Sequence, residues 1–330
     1  MNITLLTQKN IKQSVTMSQV IDSVQQAFIQ VSHGEAVLPI RTQVPAKETM
    51  GTTLIMPAYL PSLDSLGTKI VSVFPGNSEY RLPTIHALMI VVCARTGQPV
   101  AVMDGTCLTA LRTGAASGVA THFLARKDAR VATILGAGTQ GRTQLEAVCC
   151  VRNINKVWIY DKNRGAAEAL AGEMENLGAP FPSDIWVADT PGAAIDEADI
   201  ICTATTSSSP VFDDADLRLG AHINGIGSYT PQMQEIPEQT VLRAKVVVDS
   251  LSASWEEAGD LIIPLKKGLI SKSHIHGEIG QVATGQIAGR ESEKEITFFK
   301  SVGIAVQDVA VADLILKKAR ELGLGTNIDL

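Results

Sequence analysis

Two groups of residues in this 330-residue chain have the types and spacing to do chemistry. The first is the stretch ILGAGTQGRTQ, in which Gly136, Gly138 and Gly141 follow the spacing G-x-G-x-x-G. One glycine makes a tight turn, one lets a pyrophosphate reach backbone N–H groups, and one lets the following helix lie close to the sheet. The positive end of that helix favours the phosphates. Here the motif directly follows the apolar run VATIL, opens a helical stretch (Gln144, Leu145, Val148) and precedes a second strand-like run ending in Asp161, twenty positions after Gly141. An acid at that spacing accepts hydrogen bonds from ribose hydroxyls and repels a 2′-phosphate, so the pattern predicts a dinucleotide site with NAD as ligand. Lys162 and Arg164 follow at once and soften the exclusion, which leaves NADP possible. Thr203 and Thr205 in CTAT, and Asn224, Gly225, Ile226 and Gly227 in NGIG, extend the expected pocket, because ligands of open α/β sheets bind beyond the carboxyl ends of strands.

The second group is cationic: Arg41, Lys69 and Arg112. Each stands among apolar or small residues, not in a solvated charge run. Any one alone reads as a surface residue. Together, beside a dinucleotide domain, they point to a carboxylate pocket, since Arg grips a carboxylate through two N–H groups and Lys adds a point charge and a titratable proton. Hydrolase signatures are missing: there is neither a G-x-S-x-G elbow nor an H-E-x-x-H pair. His274, His276 and Glu278 alternate in SHIHGEIG, a spacing open to metal ligands on a strand. No second cluster completes a ligand set and helix-start residues stand nearby, so the reading is structural, with no metal. His86, in IHALMIVV, reads as a core or rim histidine.

The elements that must position these residues come in two textures. A short strand (residues 3–6) precedes a helical stretch in which Val20, Ile21, Val24 and Phe28 share one face and Gly34 is placed to end it. TTLIMPAYL, GTKIVSVF, LPTIHALMIVV and PVAVMDG then read as consecutive strands of an antiparallel or mixed sheet, separated by the turn-rich PSLDSLG, PGNSEYR and ARTGQ. A helix over 106–126 follows, with Asp104 and Thr106 as candidate caps. Gly114, Ala115, Ala116, Ser117 and Gly118 keep its middle thin, which suits the seam between domains. From Arg130 onward strands at VATIL, KVWIYD, DIWVA, DIICTAT, AHINGIG and KVVVDS alternate with helical stretches, the pattern of a doubly wound parallel sheet. FFKSVGIAVQDVAVADLILKKARELG reads as a loop and a last amphipathic helix. The expected fold is therefore α/β, a Rossmann-type sheet over residues 119–306 plus an α+β domain over 1–118, to which 307–330 return.

Bulk composition agrees. The chain is long for a single core, and 45% hydrophobic with 19% charged residues describes a globular protein. A net charge of −6 without a Lys/Arg cluster argues against nucleic acid as a partner. The five cysteines (Cys93, Cys107, Cys149, Cys150, Cys202) are odd in number and form no C-x-x-C pair, and four sit in apolar segments. They read as small buried hydrophobes in a reducing compartment. With neither a signal-peptide pattern at MNITLLTQKN nor a membrane-length apolar run, a cytoplasmic protein without membrane contact is expected.

Taken together, GTKIVSVFP, LPTIHALMIV, MDGTCLTALRTGAAS, GAGTQGR, HINGIGS, EAGD and KSVGIAVQD make the chain resemble the ornithine cyclodeaminase/mu-crystallin family over nearly its whole length. That family includes ornithine and lysine cyclodeaminases, an alanine dehydrogenase branch and reductases of cyclic ketimines. The resemblance implies a homodimer whose first domain binds substrate and joins subunits. It implies that Arg41, Lys69 and Arg112 hold a substrate carboxylate, with Val302 near the substrate. Thr84, Arg112, Thr139, Gln140, Asp161, Thr203, the run 224–227 and Ser301 would line the cofactor.

One position departs from the family pattern. Cyclodeaminases and the alanine dehydrogenase branch carry an aspartate two places past the glycine that closes the fifth strand; here the run is GIGSYTP and the place is Tyr229. Such an acid moves protons as ammonia is made or expelled from an open-chain amine. A cyclic imine needs only protonation, a hydride at carbon and a grip on its carboxylate. The sequence thus leans toward NAD(P)H-dependent reduction of Δ1-pyrroline-2-carboxylate or Δ1-piperideine-2-carboxylate to L-proline or L-pipecolate, with Lys69 as proton source or polariser. Ornithine cyclodeaminase or amino-acid dehydrogenase activity is the enzymatic alternative, and a non-catalytic dinucleotide or small-ligand binding protein is the other.

Overall fold

The computed structural model describes residues 2–330. The chain divides into two compact units: one holds the residues up to Arg112 together with Ile304–Leu330, the other Thr113–Gly303. The division falls inside the helix Gly105–Leu124, at 112/113 and not at 118/119, and again at 303/304 and not at 306/307. The reason lies in the thin stretch of that helix. A Cβ on Gly114 would stand 2.4 Å from the carbonyl oxygen of Thr143, on the helix Thr139–Val151. Gln144 Nε2 donates to the Thr113 carbonyl at 3.2 Å. Gly114, expected at a seam between domains, therefore serves helix packing within the second unit, with the Thr113 carbonyl beside it. Asp104, not Thr106, caps the helix, accepting from the Cys107 N–H at 2.6 Å.

The first unit is built on a seven-stranded sheet of β1 (Asn2–Leu6), β2 (Thr42–Ala46), β3 (Gly51–Leu60), β4 (Ser65–Val73), β5 (Ile85–Cys93), β6 (Pro99–Asp104) and β15 (Thr326–Asp329), in the order β15-β1-β6-β5-β4-β3-β2. β2 to β6 form an antiparallel meander, β1 joins β6 in parallel, and β15 closes the edge antiparallel to β1. The meander follows from apolar runs broken by short turns, as the sequence predicts; β2 and β15 are short, half-polar edge strands that carry no such signal. Helix Met17–Ser32 buries Val20, Ile21, Val24 and Phe28 and ends before Gly34, whose φ of 70° lies in the left-handed region that glycine takes at little cost. Helix Ala305–Glu321 packs on β3, β4 and β5 and against helix Met17–Ser32. Its face of the sheet carries a register row of Met56, Lys69, Met89 and Met103, all buried. The neighbouring row on the other face is Ile55, Ile70 and Leu88, all exposed.

The second unit is an eight-stranded, wholly parallel sheet of β7 (Val131–Leu135), β8 (Lys156–Tyr160), β9 (Ile185–Val187), β10 (Ile200–Thr203), β11 (His222–Gly225), β12 (Lys245–Val248), β13 (Ile275–Glu278) and β14 (Thr297–Lys300). The order is β13-β12-β14-β11-β10-β7-β8-β9. Alternate residues feed two cores, one on each face: Ile134, Ile159, Ile200 and Cys202 on one side, Leu135, Ile201, Ile223 and Phe298 on the other. That is the burial expected of parallel strands covered by helices on both faces. TFFK, read from sequence as loop, is β14, inserted between β11 and β12, with Phe298, Phe299 and Lys300 fully buried. Among the described residues no helix is long and apolar enough to cross a membrane.

Candidate active site

The order of the second sheet reverses direction between β7 and β10, and the glycine loop sits at the carboxyl end of β7, where open α/β sheets take their ligands. The three glycines differ as the motif requires. Gly136 has φ 106°, and a Cβ there would lie 2.6 Å from the Ala204 carbonyl oxygen beyond β10. Gly141 lies against the loop itself: a Cβ would meet the Gly136 carbonyl at 2.1 Å. Gly138 caps the helix Thr139–Val151, is exposed, and has nothing within 4 Å of where a Cβ would stand. So two glycines are consumed by the fold, and the third leaves open space at a helix N-terminus. Thr139 is exposed beside it, and the buried Gln140 Oε1 has no protein partner.

Asp161, one residue past β8, is tied to this loop. Its Oδ2 accepts from the Ala137 N–H at 2.8 Å and its Oδ1 from the Asn163 N–H at 2.8 Å. Gly136, Gly138, Asp161, Lys162, Thr205 and Ser207 are among the residues lining one cleft of about 690 Å³. Arg164 lies outside that lining and is paired with Glu168 and Asp189, which leaves Lys162 as the cation at the cleft.

Three of the residues expected to line the cofactor turn their side chains inward. Thr203 is buried and its hydroxyl donates to Glu235 at 2.8 Å. Asn224 is buried, its amide nitrogen donating to Thr121 Oγ1 at 3.0 Å and its oxygen accepting from His222 at 3.2 Å. Ser301 is buried and its hydroxyl donates to Asp249 at 2.7 Å. Asp249 also accepts from the N–H groups of Val302 (3.0 Å) and Gly303 (2.8 Å), and so fixes the turn that ends at Gly303, φ 76°. Burial pushes the Asp249 carboxyl above the usual range, and the hydroxyl and N–H donors pull it back. These side chains are framework for the strand ends; Gly225, Ile226 and Gly227 contribute backbone there. Asp249, like Glu235, is a residue that sequence reading missed. Short acids at strand ends look like solvated turn residues until their donors are seen.

In the first unit the structure brings the three cations together. Lys69, on β4, is buried in its row of methionines, with Nζ 2.9 Å from Oδ1 and 2.8 Å from Oδ2 of Asp308. Arg112 donates through Nε to Asp308 Oδ1 at 3.0 Å and through Nη1 to Gln307 Oε1 at 2.9 Å. Burial lowers the Lys69 ammonium from 10.5 to about 8; Asp308 opposes that shift, while the positive charges of Arg112 and Arg41 add to it. A shift of that size makes the charged form roughly 3 kcal/mol less favourable than in water. Two of the five N–H donors of Arg112 are used by the last helix, and three, on Nη1 and Nη2, remain for a ligand. Gln307 and Asp308 were the missed partners. Their signal was present: two polar residues inside the otherwise buried apolar helix face Val306, Val309, Ala310, Val311.

The remaining candidates have plain surroundings. Thr84 is exposed, its carbonyl accepting from the Phe74 N–H at 2.8 Å. Val302 is buried. Tyr229 is 38% exposed, on a turn closed by Ser228 Oγ donating to the Met233 carbonyl at 2.8 Å. His274 and His276 each bind a backbone carbonyl, of Val241 (2.7 Å) and Ala288 (2.9 Å), and Glu278 caps the helix Ile279–Ala283. Among the described residues no three His, Cys, Asp or Glu side chains are grouped to hold a metal ion. His86 is exposed on the sheet, opposite Ser72, and so is not a core residue.

A doubly wound parallel sheet with a G-x-G-x-x-G loop at its switch point, joined in one chain to a meander-based α+β unit, defines a Rossmann-type α/β protein. The ornithine cyclodeaminase/mu-crystallin family model matches residues 1–323, and the chain belongs to that family. It is 43% identical over 317 residues to a Δ1-pyrroline-2-carboxylate reductase of Bacillus cereus, covering 96% of each chain. The solved structure of the Thermococcus litoralis Δ1-pyrroline-2-carboxylate reductase, in complex with NADH and L-proline, superposes with a TM-score of 0.95 at 42% identity, over 99% of this chain and 100% of that one. An archaeal alanine dehydrogenase dimer with bound NAD gives a TM-score of 0.93 at 36% identity, over the whole of both chains.

Proposed function

We propose that this protein is an NAD(P)H-dependent reductase of a small cyclic ketimine carboxylate, converting Δ1-pyrroline-2-carboxylate, or its six-membered homologue Δ1-piperideine-2-carboxylate, to L-proline or L-pipecolate. The observation that carries the reading is Lys69: a buried ammonium, lowered to about 8, within ion-pair distance of Asp308 and under the field of two arginines. Near neutral pH such a group is still charged, yet gives up its proton more readily than an ordinary lysine.

The second unit fits a dinucleotide by the open space at Gly138, the unpartnered Gln140 Oε1 and the cleft between the glycine loop and Thr205. Asp161, held by two backbone N–H groups, is in place to receive ribose hydroxyls, which favours NAD; Lys162 at the same cleft keeps NADP in reach. When bound, the reduced coenzyme supplies a hydride to the ring carbon that bears the carboxylate. Arg41 and the outer N–H groups of Arg112 hold that carboxylate. Lys69 protonates or polarises the ring nitrogen, so that C=N becomes CH–NH, and recovers its proton from solvent. No ammonia enters or leaves, which suits Tyr229 where an acid would be needed for open-chain amines.

The protein acts as a homodimer in this reading. The exposed row Ile55, Ile70 and Leu88 on the sheet supports it, since contiguous exposed apolar residues mark interaction surfaces. A reducing, cytoplasmic setting is supported by the burial of Cys107, Cys149 and Cys202 as small apolar side chains.

Isotope transfer tests the reaction. Incubation with Δ1-pyrroline-2-carboxylate and NADH carrying deuterium at both C4 positions of its nicotinamide ring should give L-proline labelled at the carboxylate-bearing carbon. Formation of unlabelled proline, or of none, would count against it.

A further inference from the structure

Resting on the dinucleotide reading of the second unit, we infer that Glu235 is a positioning residue for the coenzyme: its buried carboxylate fastens the loop after β10 to the loop after β11. Five donors converge on its two oxygens. Oε1 accepts from the Thr205 N–H (2.7 Å) and the Thr205 hydroxyl (2.8 Å). Oε2 accepts from the Thr203 hydroxyl (2.8 Å) and from the N–H groups of Gly227 (2.7 Å) and Ser228 (3.2 Å). Thr203 and Thr205 leave β10, and Gly227 and Ser228 leave β11, both at the carboxyl ends of neighbouring parallel strands. Beyond those ends the ladder gives out after Ala204 and Ile226, and the TTSSSP run that lines the coenzyme cleft keeps only an isolated bridge, Ser208 to Gln234. The carboxylate supplies what the ladder would. The two loops are also in backbone contact, since a Cβ on Gly227 would stand 2.1 Å from the Thr205 carbonyl.

Glu235 is itself held from behind. Asp260 Oδ1 accepts from the backbone N–H groups of Glu235 (2.7 Å) and Ile236 (3.0 Å), and its Oδ2 lies 3.0 Å from Lys300 Nζ. Lys300 in turn donates to the Gly225 carbonyl at 3.1 Å. Gly259 beside Asp260 lets the 230–233 turn sit directly on the chain: a Cβ there would meet the Met233 carbonyl at 1.9 Å. This chain of contacts gives EAGD and the lysine of KSVG a purpose, and it runs from β14 to the loops at the cleft and to the turn bearing Tyr229. All three ionisable side chains, of Glu235, Asp260 and Lys300, are buried. Burial and then Asp260 push the Glu235 carboxyl up, while Lys300 and Thr205 draw it back. Every donor around Glu235 asks for an acceptor on both oxygens. Glutamine offers an acceptor at one end only, so it leaves either the Thr205 N–H or the pair at Gly227 and Ser228 facing an NH₂ group.

The test is Glu235→Gln, with Thr203→Val and Thr203→Ser as milder partners. It is read by NADH binding through fluorescence titration and by amide hydrogen exchange of the unliganded protein over residues 204–209 and 226–230. We expect Glu235→Gln to weaken NADH binding by roughly tenfold, the loss of one or two buried hydrogen bonds. The KM for the imine should stay within about twofold, and exchange should rise in both segments together. Should Glu235→Gln not fold, Thr203→Val decides: weaker NADH binding restored by Thr203→Ser supports the inference, and unchanged binding in both overturns it. Unchanged NADH binding and exchange in a folded Glu235→Gln overturns it outright. Wild type that binds no NADH refutes the coenzyme reading, whereas the exchange result still tells whether Glu235 couples the loops.

Discussion

Lys69 Nζ sits 2.9 and 2.8 Å from the two carboxylate oxygens of Asp308, and both side chains are almost wholly removed from water. A pair so placed is poor evidence for stability, because taking two charges out of water costs about as much as their attraction returns. In the proposed reaction its use is chemical. Asp308 keeps a desolvated ammonium charged that would otherwise tend to lose its proton, and Arg112, bound to the same carboxylate, keeps the pair from being fully satisfied.

The pH dependence follows from that pair. Lys69 titrates at about 8 in the folded protein against 10.5 unfolded. A donor must be protonated, so kcat/KM for imine reduction should fall as pH rises through about 8. Lys69→Met should abolish that limb and lower kcat by about 10²–10⁴-fold, the usual worth of a proton donor. The same shift has a stability consequence of opposite sense. Between about 8 and 10.5 the unfolded chain holds the proton that the folded one has lost, so Lys69 alone makes the protein more stable as pH rises across that window.

Asp308→Asn removes the one group that raises the Lys69 value while leaving burial, Arg112 and Arg41 in place. The alkaline limb should therefore move to lower pH, by about one unit or more. A pH–rate profile checks it, and an unmoved limb would mean that the titration belongs to another group.

Arg112→Ala should weaken the imine carboxylate's binding by about 2–5 kcal/mol, the range for breaking a buried charge pair. NADH binding, measured separately, should change far less. A normal KM for the imine would place the carboxylate elsewhere.

Asp161 now carries two duties. Its carboxylate faces the cleft and also ties the Ala137 N–H to the end of β8. Asp161→Ala should thus weaken NADH binding and shift preference toward NADPH, while Asp161→Asn, which keeps one acceptor, should lose less NADH affinity. Steady-state constants for both coenzymes decide it. Strong NADPH preference in the wild type, unchanged by either variant, would show that Asp161 does not meet the ribose.

What could be read from sequence followed a physical rule. The meander, the helix bearing Val20 and Phe28, and the β7–helix–β8 unit are long apolar repeats of clear period, and each glycine of the G-x-G-x-x-G loop has a backbone reason that shows in its spacing. β14 was lost because TFFK is four residues long and abuts the polar ESEKE run, so nothing local marks it as the strand between β11 and β12. The cations Arg41, Lys69 and Arg112 stood out as charges among apolar neighbours. Their carboxylate, Asp308, is 239 residues from Lys69 and could not be paired with it by spacing. Glu235, Asp249 and Asp260 share that fate: each is an acid whose donors come from other strands, invisible until the sheet brings them together. Thr203 and Asn224 stand at strand ends that the sequence marks, but nothing local shows that their side chains, like that of Ser301 after β14, bond inward to Glu235, Thr121 and Asp249.

In the proposed reaction the chain reduces a preformed cyclic imine and does not make or expel ammonia. The most direct measurement is the initial rate of NADH oxidation with Δ1-pyrroline-2-carboxylate, set beside NADH oxidation with pyruvate plus ammonia and proline formation from ornithine with NAD. Near neutrality a phenol is a poorer proton carrier than a carboxylate, so with Tyr229 at the place of the acid the imine should be reduced readily and the two ammonia reactions should be slow or undetectable. Turnover of ornithine, or of pyruvate with ammonia, at a rate comparable to that of the imine would contradict it.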